Sequence, residues 1–441
     1  MIPPQEFLST LRGCGVSFFT GVPDSLLKEF LLVLQSDSQS HYIGANEGAC
    51  IAMAVGNHLA SGQLGLVYMQ NSGLGNAVNP LMSLAHQTVY SIPLLLLIGW
   101  RGEPEVPDEP QHQPMGMATE RFLDNMQIPF TIISANTDYV QTLRDTSRRS
   151  LEESRPIAIL CRKGIFAKAN VVASLAHQPA FARDRLGDIS TECRPTAIEE
   201  GMPDNTRQFS HQIPISNMKR EEALEIITAQ LTGKEAIICT TGAASRELYE
   251  IRTKTNHSHQ QDFLNVGAMG HCSLIALGVS LGINCMDPPN GNKDKGLTDQ
   301  TIHGSTGRGR QVLCIDGDGS AIMHMGALTT IGRLGPTTFK HIILNNHVHD
   351  SVGGQPTGSD QINFLTIGKA CGYRNVASCN DRSVLAAAVH ALMNSAGPSL
   401  LEIVVQPGMR DSLARPPQNL REMKRQFMSF MSAETCDNVS T

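Results

Sequence analysis

The chain has 441 residues, and 35 Lys and Arg stand against 41 Asp and Glu for a formal net charge of −6; the charge is mild and no basic run argues for nucleic acid. Its longest apolar stretch, 92–100, contains Pro93 and falls far short of the about 20 residues that span a bilayer. The opening MIPPQEFLSTLRGCG has no signal-peptide pattern, and the 11 Cys lack metal-type spacing. Reduced thiols, a cytoplasmic enzyme and two domains are the expectation.

In chain order, β-rich apolar runs alternate with helical stretches in two blocks. The first block has candidate strands at 16–19, 42–44, 65–69, 94–98, 130–133 and 157–161. After its second strand, Glu47 opens a helical stretch that is apolar nearly all round from 49 to 55, the pattern of a buried helix. A carboxylate at the start of a buried helix needs a partner. Residues 170–216 have few aliphatic runs and many Pro, Arg, Asp and Gln, as in a linker. The second block has candidate strands at 236–239, 263–266, 312–315, 341–344, 374–377 and 400–405. The polar insertion 285–310 reads as a surface loop. Its GSTGRGR follows no strand and lacks the Gly-Lys-Ser/Thr ending of a phosphate loop. From 416 the chain is charged and polar, with a helix expected to about 432. The alternation predicts an α/β protein of two doubly wound parallel-sheet domains, 1–169 and 217–415, followed by a tail at 416–441.

One unit in the second block carries most of the chemistry. Gly317-Asp318-Gly319-Ser320 ends one strand, and after 24 further residues Asn345-Asn346 ends the next. Polar groups at the carboxyl ends of adjacent parallel strands lie where open α/β sheets bind ligands. Asp318 and an Asn side chain are hard oxygen ligands suited to Mg²⁺ holding a diphosphate. Gly317 and Gly319 let backbone N–H groups approach phosphate oxygens.

This unit resembles the diphosphate-and-metal motif of thiamine diphosphate enzymes. The resemblance implies that Asp318 and Asn346 bind Mg²⁺ through side chains and Val348 through its carbonyl, with Gly317, Gly319 and Ser320 at the diphosphate. It further implies that Glu47 faces the pyrimidine ring, that Gly267 in GAMG orients the exocyclic amine by its carbonyl, and that Met269 is the wedge under the cofactor. Thr241 and Gly242, which close another strand, would contact the diphosphate. The absence of a central third domain also fits the compact, two-block branch of the family. The segments FFTGVPDSLLK, VYMQNSGLGNAVNPL, IGWRGEPEVPDEPQH, CRKGIF, FLNVGAMGH and NNHVHDSVGGQPT resemble that branch, which decarboxylates 2-keto acids bearing a phosphonate or sulfonate. Departures are Ala243-Ala244 after the Thr-Gly pair, His347-Val348 after the Asn pair, and the insertion.

The residues in those segments suit a dianionic substrate. Asp24 and Ser25 follow a strand; Asn71 and Ser72 sit in a Gly-rich turn that can form an anion nest. Arg101 and His112 lie on a Pro-broken loop, and His349, Asp350, Ser351 and Gln355 follow Val348. Ser25, Asn71, Ser72, Arg101, Ser351 and Gln355 are candidate substrate contacts, with Arg101 the best phosphonate partner because a planar guanidinium matches that oxyanion. Glu47, Asp24, His112, His349 and Asp350 are candidate catalytic groups. The resemblance also implies a homodimer or dimer-based oligomer whose active sites are shared between chains. A non-catalytic thiamine-diphosphate-binding protein is the different-class alternative, and Glu47 argues against it, since binding alone does not need that acid.

Overall fold

A computed structural model of the chain describes residues 1–36, 40–169, 216–286, 310–416 and 419–433. The expected linker from 170 to 215, the insertion from 287 to 309 and the tail from 434 lie outside the described residues. The first block runs α1 (Pro4–Gly13), β1 (Val16–Gly21), α2 (Lys28–Ser36), β2 (His41–Ile43), α3 (Glu47–Ser61), β3 (Leu64–Gln70) and α4 (Leu74–Pro80). It continues through β4 (Leu94–Gly99), α5 (Gln113–Asn125), β5 (Phe130–Ile133), α6 (Tyr139–Glu153) and β6 (Pro156–Cys161). The second block opens with α7 (Arg220–Ala229), β7 (Ala236–Cys239), α8 (Ala243–Lys254), β8 (Asp262–Leu264), α9 (Cys272–Met286) and β9 (Val312–Gly317). Next come α10 (Asp318–Met323), α11 (Gly326–Leu334), β10 (Phe339–Asn345), β11 (Val348–His349) and β12 (Gln355–Pro356). The block closes with α12 (Phe364–Cys371), β13 (Asn375–Cys379), α13 (Arg382–Asn394), β14 (Ser399–Val404) and α14 (Leu420–Ala433).

Every run read as a strand is a strand, in one of two six-stranded parallel sheets. The orders are β2-β1-β3-β4-β6-β5 and, read in the matching sense, β8-β7-β9-β10-β14-β13. The two sheets therefore share one winding, although their motifs differ. In each, the chain first winds outward on one side and then reverses. The reversal opens a crevice beyond the strand ends at β1/β3 and at β7/β9. One strand ends earlier than the sequence suggests: after Leu264 the Asn265 N–H makes a last bond to the Cys239 carbonyl at 3.0 Å, and the Val266 N–H turns instead to the Tyr90 hydroxyl at 3.2 Å. The short antiparallel hairpin β11–β12 was not legible in the pattern.

Helices α3 and α9 join the blocks. Asn46 caps α3 by accepting the Ala49 N–H at 2.9 Å, and Gly62 ends it in the left-handed region at φ 69°. Between them Gly48, Ala52, Gly56 and Ala60 recur every fourth residue, which places them on one stripe. A Cβ at Gly56 would lie 2.0 Å from the Ile275 carbonyl, and one at Gly278 would lie 2.1 Å from the Met53 carbonyl, so the two backbones touch. The pairs 48 with 271, 56 with 275 and 60 with 282 advance together, which makes the helices parallel with their N-termini side by side. One hydrophobic core runs through this pair and the inner faces of both sheets, and two smaller clusters cover the outer faces. Helix α14 crosses back to the first block, where Lys424 Nζ donates to the Ser91 carbonyl at 2.6 Å. Among the described residues no helix is long and apolar enough to cross a membrane.

Candidate active site

The parallel packing sets the first turn of α3 against the turn from 267 to 271. Glu47 is 8% exposed and its Oε2 accepts from Asn76 Nδ2 at 2.8 Å. Among the described residues no donor reaches its Oε1. Gly73 leaves room for this carboxylate, since a Cβ there would lie 2.3 Å from Oε1. Opposite, Ala268 takes a positive φ of 47° and Gly270 one of 81°, a strained turn of the kind found at ligand clamps. The Ala268 N–H donates to Ser83 Oγ at 2.7 Å. A Cβ on Gly267 would press into the Ser83 carbonyl at 2.4 Å. Met269 is 54% exposed.

His271, which the sequence reading passed over, ties this corner together. Its Nδ1–H donates to the Met269 carbonyl at 3.1 Å, and its ring lies 4.1 Å from that of His324. Burial pushes its pKa down to about 4, so the ring is neutral. Its Nε2 is buried without a partner and would lie 2.8 Å from a Cβ on Gly48. The one available signal was a His directly after the Gly-rich turn. All these contacts between blocks lie within one chain in this structure.

The diphosphate unit occupies the crevice at β7/β9. Gly242 precedes α8 at φ 106°, and Gly317 precedes α10. Thr240 Oγ1 donates to Ser320 Oγ at 3.2 Å, while Thr241 and Gly242 are half-buried beside it. A Cβ on Gly317 would meet open space, whereas one on Gly319 would lie 2.5 Å from the His349 ring. Asp318 is 2% exposed, and its Oδ2 accepts from Thr357 Oγ1 at 2.5 Å and Ser359 Oγ at 2.8 Å. The two Asn differ. Asn345 donates to Glu402 at 2.8 Å and accepts from Ser359 at 2.9 Å, so it is a strut of the sheet. Asn346 donates through Nδ2 to Asp350 at 2.6 Å, and its Oδ1 accepts from the Val348 N–H at 3.3 Å. Asn346 and Val348 are in direct contact, and Asp318 is linked to the neighbouring Asn345 through Ser359. From Asp318 to Met323, α10 spans on the order of 9 Å and ends beside the His324–His271 pair. The His324–His271 contact therefore joins the end of α10 to the turn at 267–271.

The other crevice, at β1/β3, gathers Asp24, Ser25, Asn71 and Arg101. Asp24 is 5% exposed; its Oδ2 accepts the Leu26 N–H at 3.0 Å, and its Oδ1 is buried without a partner. Burial raises its pKa above the ordinary carboxylate value. Asn71 bridges the Arg101 carbonyl at 2.8 Å and Thr119 Oγ1 at 2.9 Å. Arg101 is not a free cation, however. Asp108 accepts its Nε at 2.8 Å and Nη2 at 2.5 Å, together with the Gly102 and Glu109 N–H groups. That guanidinium holds the Asp108 carboxyl well below the usual range. Only Nη1 turns toward the crevice, where it donates to Ser25 Oγ at 2.9 Å. Asp108 was not anticipated; it lay among the acids of the Pro-broken loop without a distinguishing pattern.

The remaining candidates are more peripheral. Ser72 is exposed and accepts from Gln70 at 2.6 Å. His112 is half-buried at the end of a short 3₁₀ turn. His349 packs on Gly319, while Ser351 and Gln355 are exposed on the β11–β12 hairpin. Asp350 is held by three donors and is a structural node. A second set of ligand-type side chains, Cys314, Asp316 and His341, lies under the second sheet, each 0% exposed. It adjoins the diphosphate turn, since Asp316 Oδ1 accepts the Gly317 N–H at 3.0 Å.

Comparison with known proteins gives the same division. The thiamine pyrophosphate enzyme N-terminal TPP binding domain matches residues 5–127, and the C-terminal TPP binding domain matches 240–403. A phosphonopyruvate decarboxylase of Streptomyces viridochromogenes is 33% identical over 98% of this chain and 96% of its own. A sulfopyruvate decarboxylase of Methanosarcina acetivorans is 25% identical over 98% of each chain. Among solved structures, a thiamin diphosphate-dependent enzyme from Mycobacterium smegmatis superposes with a TM-score of 0.63 at 15% identity, covering 92% of this chain and 100% of that one.

Proposed function

Because this chain belongs to the thiamine diphosphate-dependent decarboxylases, we propose that it converts 3-phosphonopyruvate to phosphonoacetaldehyde and CO₂, in the cytoplasm and in the service of phosphonate biosynthesis. The observation that carries this reading is the 33% identity to a phosphonopyruvate decarboxylase along 98% of the chain. The 25% identity to a sulfopyruvate decarboxylase, of equal reach, makes sulfopyruvate the second reading. Units 1–169 and 217–415 are taken as the pyrimidine-binding and diphosphate-binding domains.

The residues fit the cofactor and Mg²⁺. A buried carboxylate with an open oxygen, Glu47, faces the corner where a pyrimidine would lie. The open space at Gly317 is a cradle for a diphosphate. Asp318, the Asn346 amide oxygen and the Val348 carbonyl are a hard-oxygen set of the kind Mg²⁺ selects. When bound, thiamine diphosphate supplies the electron sink for decarboxylation.

The chain's own groups do the rest. Glu47, buried at 8% exposure, would hold a hydrogen bond to the ring. Met269 supplies apolar support beneath it. In the β1/β3 crevice, Arg101 Nη1, Ser25 and the turn at Asn71 and Ser72 receive the second anion of the substrate. Asp24, whose pKa burial raises, is the group assigned to hand a proton to the product. His112, His349, Ser351 and Gln355 complete the rim. We further propose a homodimer or dimer-based oligomer in which the blocks are exchanged, the first block of one chain facing the second block of its partner, so that the same α3–α9 face forms between chains.

Carbon dioxide release from phosphonopyruvate, sulfopyruvate and pyruvate, with and without thiamine diphosphate and Mg²⁺, tests the reading. Polar groups built to pair a second anion are left unpaired by pyruvate, which costs a few kcal/mol or roughly a hundredfold in kcat/KM. Phosphonopyruvate should lead by that margin. Equal values for all three acids would reject the assignment, and a lead for sulfopyruvate would establish the second reading.

A further inference from the structure

Asp350 stands out as a group with a different task from the acid–base work its position suggested. Its Oδ2 accepts from Asn346 Nδ2 at 2.6 Å and from Arg220 Nη1 at 2.7 Å. Its Oδ1 accepts from the Gly408 N–H at 3.0 Å. Arg220 in turn is clamped by Glu247, Nε to Oε2 at 2.8 Å and Nη2 to Oε1 at 2.9 Å. Its Nη2 also donates to the Gly408 carbonyl at 3.3 Å. Arg220 is 7% exposed, Glu247 2% and Asn346 5%, so water does not compete for these bonds. The network links α7, α8 and the segment at 408 to the end of β10.

The chemistry of an amide gives the network a consequence. An Asn side chain has one end that donates and one that accepts, and an ionised carboxylate only accepts. The end of Asn346 that faces Asp350 is therefore the NH₂ group. The carbonyl oxygen must face the other way, toward Val348 and the open side of Asp318. Rotated by half a turn, the amide would bring two acceptors together at Asp350 and present N–H groups to a cation. We infer that Asp350, held by the Arg220–Glu247 clamp, is a positioning residue that sets the sense of the Asn346 amide and so makes its oxygen a metal ligand. This rests on the proposed role of Asn346 as a ligand.

The test is Asp350→Asn, which leaves Arg220 paired with Glu247. An amide at 350 accepts either orientation of its neighbour, so the sense of Asn346 is no longer imposed. Titration calorimetry of thiamine diphosphate at a series of Mg²⁺ concentrations reads the metal dependence without turnover. Outer partners of metal ligands typically change affinity by 10–100-fold. The half-saturating Mg²⁺ should therefore rise at least tenfold, and kcat should recover to within about threefold of wild type when Mg²⁺ saturates. An unchanged half-saturation overturns the inference, as does a loss of kcat that no Mg²⁺ concentration restores, since that would mark a group acting in the reaction itself. If Asp350→Asn does not fold, Asp350→Glu is read by the same two criteria, because it keeps the charge but displaces the acceptor. The parent reading is tested separately: if the unaltered protein binds the cofactor equally well without metal, the ligand assignment itself has failed.

Discussion

At the scale of single residues, Glu47 is the most consequential side chain. It is buried, one oxygen is satisfied by Asn76, and the other is open to the corner where the two blocks meet. Its replacement by Gln keeps the shape and the Asn76 contact through the amide oxygen, but removes the acid. Glu47→Gln should lower kcat by roughly a hundredfold or more while leaving the dissociation constant of thiamine diphosphate within a few-fold. Stopped assays beside equilibrium binding check both halves, and a variant with near-normal kcat would favour the non-catalytic alternative. Glu47 and Asp318 were legible in the sequence because each interrupts an apolar run at a strand end. Asp108 and His271 were not. Asp108 meets Arg101 seven residues away through an irregular loop with no periodicity to pair them, and His271 meets Gly48, a neighbour distant in sequence that no local pattern reports.

The element that decides the architecture is the α3–α9 pair. Its glycines are the points where two backbones touch. Gly278→Ala would place a Cβ 2.1 Å from the Met53 carbonyl, against backbone that cannot yield. The substitution should cost about 1–3 kcal/mol or more, read as a fall in the urea midpoint. Gly13→Ala is the matched control, because nothing lies within 4 Å of a Cβ there and its φ is not positive. It should be neutral or stabilising by up to about 1 kcal/mol. Equal effects at the two sites would deny that close approach is what Gly278 provides. The all-round apolar pattern of 49–55 announced a buried helix, but not which helix would cover it.

Two predictions belong to the whole molecule. His58 and His271 are buried and neutral, each pushed down to about 4 chiefly by desolvation. Between their ordinary value of 6.5 and about 4 the unfolded chain binds protons that the folded chain does not. Stability should therefore fall as pH drops through that window, with a slope of up to about 1.4 kcal/mol per pH unit from each. Urea unfolding at pH 7, 6 and 5 measures it, and a flat profile would show that these rings charge freely in the fold. The exchanged dimer makes a sharper demand. Mixing Glu47→Gln with Asp318→Ala protein under conditions that reassort subunits should restore activity, up to roughly a quarter of the wild-type sites when pairing is random. No recovery, with exchange verified, would confine each site to one chain.

Local order alone determined the two parallel sheets and the strand-end placement of Asp318 and Asn346, while the cofactor class was implied by the family those residues resemble. These depend on periodicity and on residue types at fixed short spacing, which a linear pattern carries in full. The tertiary structure decided the rest. It showed that both sheets wind alike, that Arg101 is already engaged by Asp108, and that Asp350 braces Asn346. It also showed that a parallel pair of glycine-lined helices brings Glu47 to the turn at 267–271. The winding and the helix pair join segments far apart in the chain, while the Arg101–Asp108 and Asn346–Asp350 pairs join near neighbours in loops whose course the fold sets; in each, burial and hydrogen-bond satisfaction choose the partner.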